Sequence, residues 1–207
     1  CVVGQCTAEG LGDWFHKSST KASSNYGIDK NGRIGLYVEE KNRSWCTSSN
    51  ANDQRAVTIE CASDKVEPYA MHQVVYDRLI DLCEDICRRN GKKKLLWFGD
   101  KNKSLNYQPK ADEMLITVHR WFANKSCPGD WLYARLGDLA AKVTSRLGSG
   151  NVEVISSGMQ AGEFQGLTEE QVLAKVGPLF TADQKKSGIL ASVSMAQFIL
   201  ESGYGKS

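Results

Sequence analysis

The sequence predicts an α/β domain followed by a short all-helical segment, and three observations carry that division. Runs rich in β-branched residues alternate with two amphipathic helical patterns up to residue 147. A stretch of low hydrophobicity, opening with Gly148-Ser149-Gly150-Asn151 and running to about Gly166, has the composition of a linker. From 167 to 207 helix signals follow one another with no strand pattern between them. A chain of 207 residues has room for one medium domain and part of another. It begins at Cys1 and stops at Ser207, directly after a helical pattern, so the expectation is a fragment cut through structured elements at both ends.

In chain order, Val2 to Cys6 reads as the tail of a strand, ended by Gly10-Leu11-Gly12-Asp13. Asn25 to Ile28 and Arg33 to Val38 flank Asn31-Gly32, the signature of a β-hairpin. Thr47 to Asp53 is polar and reads as a loop. Ala56 to Cys61 is a strand that ends on the carboxylate of Glu60. Between Met71 and Asn90, Val75, Leu79, Leu82 and Ile86 recur at four, three and four residues, one apolar helix face closed by Asn90-Gly91. Lys92-Lys93-Lys94 reads as a solvated charge run and Lys101 to Lys110 as a polar excursion. Met114 to Val118 is a strand leading into His119. After Cys127-Pro128-Gly129, Asp130 can cap a helix bearing Leu132, Leu136, Leu139, Val143 and Leu147. In the last segment, Thr168…Gln171 and Thr181…Gln184 both match a capping box, and Ile189 to Ser202 is a helix with Glu201 near its end.

Composition excludes some functions. A net charge of +2, with no Arg-rich helix, argues against a nucleic-acid partner. No apolar run approaches the roughly 20 residues of a membrane span. Seven cysteines, all within the first 127 residues, are an odd and sparse set that reads as reduced thiols rather than a disulfide framework. Cys83 and Cys87, at i and i+4 on a helix, read as small core residues.

The stretch with chemistry is Thr117 to Gly129. It places an imidazole, His119, and a thiol, Cys127, eight residues apart across a strand end and the loop that folds back on it. Both are good zinc donors, and a catalytic zinc needs only three protein ligands plus water. A buried cysteine beside a hydrogen-bonded histidine would give the same spacing. Lys125 is the right group to stabilise an oxyanion beside a metal, and Glu60 could act as a general base. The sequence offers no convincing third ligand; His16 and His72 would be the substitutes.

Three landmarks in order then identify a resemblance. They are Ser23-Ser24-Asn25-Tyr26-Gly27-Ile28…Asn31-Gly32-Arg33-Ile34, Asn52-Asp53…Val57-Thr58-Ile59-Glu60, and Val118-His119-Arg120…Lys125-Ser126-Cys127-Pro128-Gly129-Asp130. Residues 1–147 resemble the zinc-dependent N-acetylmuramoyl-L-alanine amidases related to peptidoglycan-recognition proteins, in particular the catalytic domains of phage and prophage endolysins. The resemblance implies a mixed central β-sheet flanked by helices, with Zn2+ as cofactor and bacterial peptidoglycan as partner. It implies His119 and Cys127 as the second and third zinc ligands, Lys125 as the catalytic lysine and Glu60 as the base. Asn25, Tyr26 and Trp121 would border the substrate. Where some relatives carry a catalytic tyrosine this chain has Ser24, which leaves that role to Glu60. The family's first zinc histidine would stand immediately before Cys1.

Leu167 to Ser207 resembles the start of autolysin-type endo-β-N-acetylglucosaminidases, on Ala191-Ser192-Val193…Ala196-Gln197…Ile199-Leu200-Glu201-Ser202-Gly203-Tyr204-Gly205. That resemblance implies a truncated, lysozyme-like segment with Glu201 as the acid that protonates the leaving glycosidic oxygen. Together the two imply a monomeric endolysin with two wall-cleaving domains. It would be held in the host cytoplasm until release to the wall, or secreted if a signal precedes the chain. The rival expectation is a peptidoglycan-binding module without hydrolysis. For the chain as it stands the expectation is weak zinc binding and little release of soluble peptide.

Overall fold

The computed structural model describes residues 4–148 and 164–187, together with Ser192, Met195, Ala196, Phe198 and Ile199. The chain divides into two units between Gly150 and Asn151.

In the first unit, Thr7 caps helix α1 (Ala8–His16) by accepting from Gly10 N. The Gly10–Asp13 segment expected to break a strand is therefore helical. The cap and the burial of Leu11, 4% exposed, outweigh the roughly 1 kcal/mol that each interior glycine costs a helix. The Asn-Gly hairpin forms as expected: β1 (Tyr26–Ile28) pairs antiparallel with β2 (Ile34–Leu36), and Asp29 closes the turn by accepting from the backbone of Asn31 and Arg33. On the other side β1 pairs parallel with β3 (Ile59–Cys61), setting Gly27 opposite Glu60. Gly27 is obligatory, because a Cβ there would stand 2.5 Å from Leu11 Cδ2 and 2.7 Å from the Tyr37 ring.

The segment read as a polar loop holds a short helix, α2 (Asn50–Asp53), capped by Ser49. The long apolar face forms α3 (Gln73–Arg89), which buries Val75, Leu79, Leu82 and Ile86. Each such side chain contributes about 1.5–3 kcal/mol by leaving water. Cys87 on this helix is 1% exposed, and burial pushes its thiol up to about 11, as a core thiol requires. Strands β4 (Lys94–Leu96) and β5 (Glu113–Leu115) pair parallel. Between them the expected polar excursion contains α4 (Lys101–Asn106), capped by Asp100. The helix expected from Asp130 is broken at Ala134–Arg135 into α5 (Gly129–Tyr133) and α6 (Leu136–Gly148). Helix α6 packs against both α3 and β4 through Leu136, Leu139, Ala140 and Val143.

This is a mixed α/β fold with small sheets flanked by helices. It departs from the expected single central sheet: the described strands form one sheet in the order β2-β1-β3 and a second of β4-β5. Each of the five described strands is three residues long. A cavity of about 950 Å³ takes its wall from β3, α3, β4, β5 and α6 and reaches Cys46, Thr47 and His119.

In the second unit, α7 (Glu169–Ser187) starts with the expected capping box: Thr168 N donates to Gln171 Oε1 and Gln171 N to Thr168 Oγ1. The second box does not cap a helix. Thr181 lies inside α7 and its hydroxyl donates back to Gly177 O. Phe164, Val172 and Val176 form a small core with Phe180 and Phe198 against it, so this core begins before the expected end of the linker. Glu201, the expected glycosidic acid, lies outside the described residues, as do Cys1 and most of the linker.

Candidate active site

The site forms where β3, the loop before α2 and the segment after β5 meet. Val118, 6% exposed, anchors the end of the β5 segment, and His119 opens a single 3-10 turn, His119–Trp121. The chain then loops back so that Arg120 N donates to Cys127 O at 2.9 Å, which carries the histidine and cysteine segments alongside one another. Arg120 braces the loop further: its Nε donates to Ser126 O at 3.1 Å, Nη1 pairs with Asp130 at 2.9 Å, and its guanidinium lies over the Tyr133 ring. The corner that follows needs glycine. Gly129 has φ +79°, and a Cβ there would stand 2.7 Å from both Pro68 O and Tyr69 Cβ.

Glu60 comes from the neighbouring strand. Its residue is partly accessible, but Oε2 is sealed from solvent and has no hydrogen-bond partner. Its other oxygen, Oε1, accepts from Cys46 Sγ at 3.6 Å. Burial pushes the carboxyl up to about 7; a Cys127 thiolate would raise it further, while the Cys46 bond and the His119 charge pull it down. His119 and Cys127 thus both lie within electrostatic reach of Glu60. Lys125 sits on the loop between the two donors with its side chain exposed to solvent.

Donor chemistry and donor number give different answers on zinc. An imidazole, a half-buried thiol outside any disulfide and a buried carboxylate oxygen in want of a partner are the right kinds of group. Among the described residues, however, no three of His, Cys, Asp or Glu stand close enough together to hold a metal ion. Neither proposed substitute joins the pair: His16 ends α1 at the surface, and His72 lies before α3 with Nδ1 3.3 Å from Lys30 O.

The three residues expected to border substrate are buried in the structure. Asn25 is fully buried; its amide nitrogen donates to Val38 O, Glu39 O and Asn42 O, and its Oδ1 accepts from Thr58 N at 2.9 Å. Tyr26, 1% exposed, donates to Glu40 Oε1 at 2.8 Å, and Arg89 pairs with the same carboxylate at 2.8 Å. Burial alone would raise Glu40, but the bonds from Arg89 and Tyr26 outweigh it and hold the carboxyl below its ordinary value. Trp121, 6% exposed, stacks on Trp97 at 5.0 Å with the rings 2° from parallel. All three side chains take their hydrogen-bond or stacking partners from within the fold.

Two residues at the site escaped sequence reasoning. Cys46 bonds Glu60, and Ser48 places Oγ 3.3 Å from His119 Nε2. Both lie in the stretch Trp45-Cys46-Thr47-Ser48-Ser49, where the only sequence signal was the cap residue of a four-residue helix.

No curated protein and no solved structure matches the chain. The family described as N-acetylmuramoyl-L-alanine amidase, Amidase_2, matches residues 2–130, well over half of the 207. That span contains Glu60, His119, Lys125 and Cys127 and ends on Asp130, the residue that pairs with Arg120. The chain belongs to the N-acetylmuramoyl-L-alanine amidase family, whose members act on peptidoglycan.

Proposed function

We propose that this protein is a zinc-dependent endolysin of phage or prophage origin that cuts the amide between N-acetylmuramic acid and L-alanine. The observation that carries this reading is the gathering of a solvent-sealed, partnerless carboxylate oxygen on Glu60 with His119 and Cys127, inside the span that matches the amidase family. His119 and Cys127 would hold the zinc, which when bound supplies an acidified water and a polarised carbonyl. The Glu60 carboxylate takes a proton from the attacking water as the new C–O bond forms. Lys125 swings its ammonium from solvent onto the oxyanion of the tetrahedral intermediate. Glu60 then returns the proton to the alanine nitrogen as the C–N bond breaks, leaving a muramoyl carboxylate and a free amine.

Residues 167–207 would begin a second domain that cuts the glycan strand with Glu201 as acid. The protein would act as a monomer, stored in the host cytoplasm until release, or exported if a signal precedes the chain. One observation favours a second reading, a peptidoglycan-binding module without hydrolysis: the described residues bring together fewer than three metal donors.

Purified walls incubated with the full-length protein decide between the two. Amidase action releases new alanine amino groups, is lost on chelation or Cys127→Ser, and returns with zinc. Binding to walls with no new amino groups would overturn it in favour of the module. Release of reducing sugar that survives Glu201→Gln unchanged would remove the glucosaminidase assignment.

A further inference from the structure

We propose that Ser48 is the positioning residue for His119. Its hydroxyl accepts the Nε2–H of the imidazole, which fixes the tautomer and leaves Nδ1 as the unprotonated nitrogen that would serve as the zinc donor. This rests on the zinc reading above. A ligating histidine generally gives its other ring N–H to an oxygen, and that oxygen sets which nitrogen binds and how the ring is turned. Here Ser48 Oγ lies 3.3 Å from His119 Nε2.

The fold holds Ser48 in place for this from two sides. Asp53, 5% exposed, accepts from Cys46 N, from Thr47 N and, at 2.6 Å, from Thr47 Oγ1, so the two residues before Ser48 are clamped. Asn52, on the same short helix, accepts from Thr117 Oγ1 at 3.0 Å, which ties α2 to the strand end two residues before His119. Between these anchors Ser48 itself sits at φ +62°. A left-handed conformation costs a non-glycine residue roughly 1–2 kcal/mol. Glycine would make this turn without that strain, so the turn does not explain why a side chain is present. The hydroxyl at His119 does. The same loop also delivers Cys46 to Glu60, so one clamped turn orients both the proposed ligand and the proposed base.

The experiment compares wild type with Ser48→Gly and Ser48→Thr. Ser48→Gly suits the backbone conformation, so it deletes the hydroxyl without disturbing the turn; Ser48→Thr restores it. Long-range ¹H–¹⁵N spectra of the metal-free proteins at alkaline pH report the imidazole tautomer, with His119 assigned through His119→Gln. The expected result is that His119 is held with the proton on Nε2 in wild type and Ser48→Thr, and becomes a mixture of tautomers in Ser48→Gly. Zinc affinity, read by competition with a chromophoric chelator, should fall about tenfold or more in Ser48→Gly and recover in Ser48→Thr. An unchanged His119 tautomer in Ser48→Gly would overturn the proposal. Wild type that takes up no zinc but keeps the Nε2–H tautomer, lost in Ser48→Gly, would overturn the zinc reading while leaving the role of Ser48 standing.

Discussion

Replacing Glu60 by Gln in the metal-free protein should make the fold more stable at alkaline pH, and the structure sets the size of the gain. The Glu60 carboxyl is lifted from 4.5 to about 7, chiefly because its charge is buried, with Oε2 sealed and unpartnered. Its folded-state affinity for a proton exceeds its unfolded one, so the native state binds more protons than the unfolded state between those two values. Stability therefore falls as pH rises from about 4.5, and the loss is complete once pH passes about 7. A difference of two and a half pH units corresponds to about 3 kcal/mol. Glutamine is a neutral isostere of the protonated acid, so the variant should match wild type near pH 4 and exceed it by that amount near pH 8.5. For a chain of this size the gain corresponds to a rise in Tm on the order of 6–12 °C. Urea unfolding of both proteins in chelator, across that pH range, gives the two curves. If they ran parallel from acid to alkaline pH, Glu60 would not be a buried titrating carboxyl, and its assignment as the proton acceptor would lose its physical basis.

Three further outcomes follow from the same geometry. On the proposed mechanism Lys125→Ala should lower kcat by about 10²–10³ with little change in KM or in zinc content, since the exposed ammonium would act on the oxyanion; steady-state kinetics on purified walls or a muramoyl-peptide checks it. Tyr26→Phe should cost about 1 kcal/mol in urea unfolding and leave wall binding unchanged, because its hydroxyl serves Glu40 and Arg89 inside the fold. Gly129→Ala should cost roughly 2–4 kcal/mol, seen as a lower denaturation midpoint, since both its positive φ and its 2.7 Å contacts exclude a side chain.

Much of the fold could be read from local patterns. The Asn31-Gly32 hairpin, the apolar face of α3 and the Thr168 capping box are short-range signals, and each appears where its pattern lies. Local signals failed where packing or competition decided. Gly10 and Gly12 became helical because Leu11 had a core to enter, and Thr181 was absorbed into a continuing helix. The division of the strands into two sheets also depends on long-range pairing that no window of sequence contains.

The chemistry divides in the same way. The sequence alone determined the identity and order of the candidate groups, because His119, Lys125 and Cys127 lie within nine residues and Glu60 lies in a strand pattern rich in β-branched residues. Only the tertiary structure decided what those groups meet. It put Asn25, Tyr26 and Trp121 inside the fold, since a buried amide, phenol and indole must find hydrogen-bond or stacking partners, and theirs are in the protein. It also carried Cys46 to Glu60 and Ser48 to His119, contacts that span 14 and 71 residues of chain. Spacing along a sequence reports only neighbours within a turn or a hairpin; a clamp such as Asp53 acts through the fold that surrounds it.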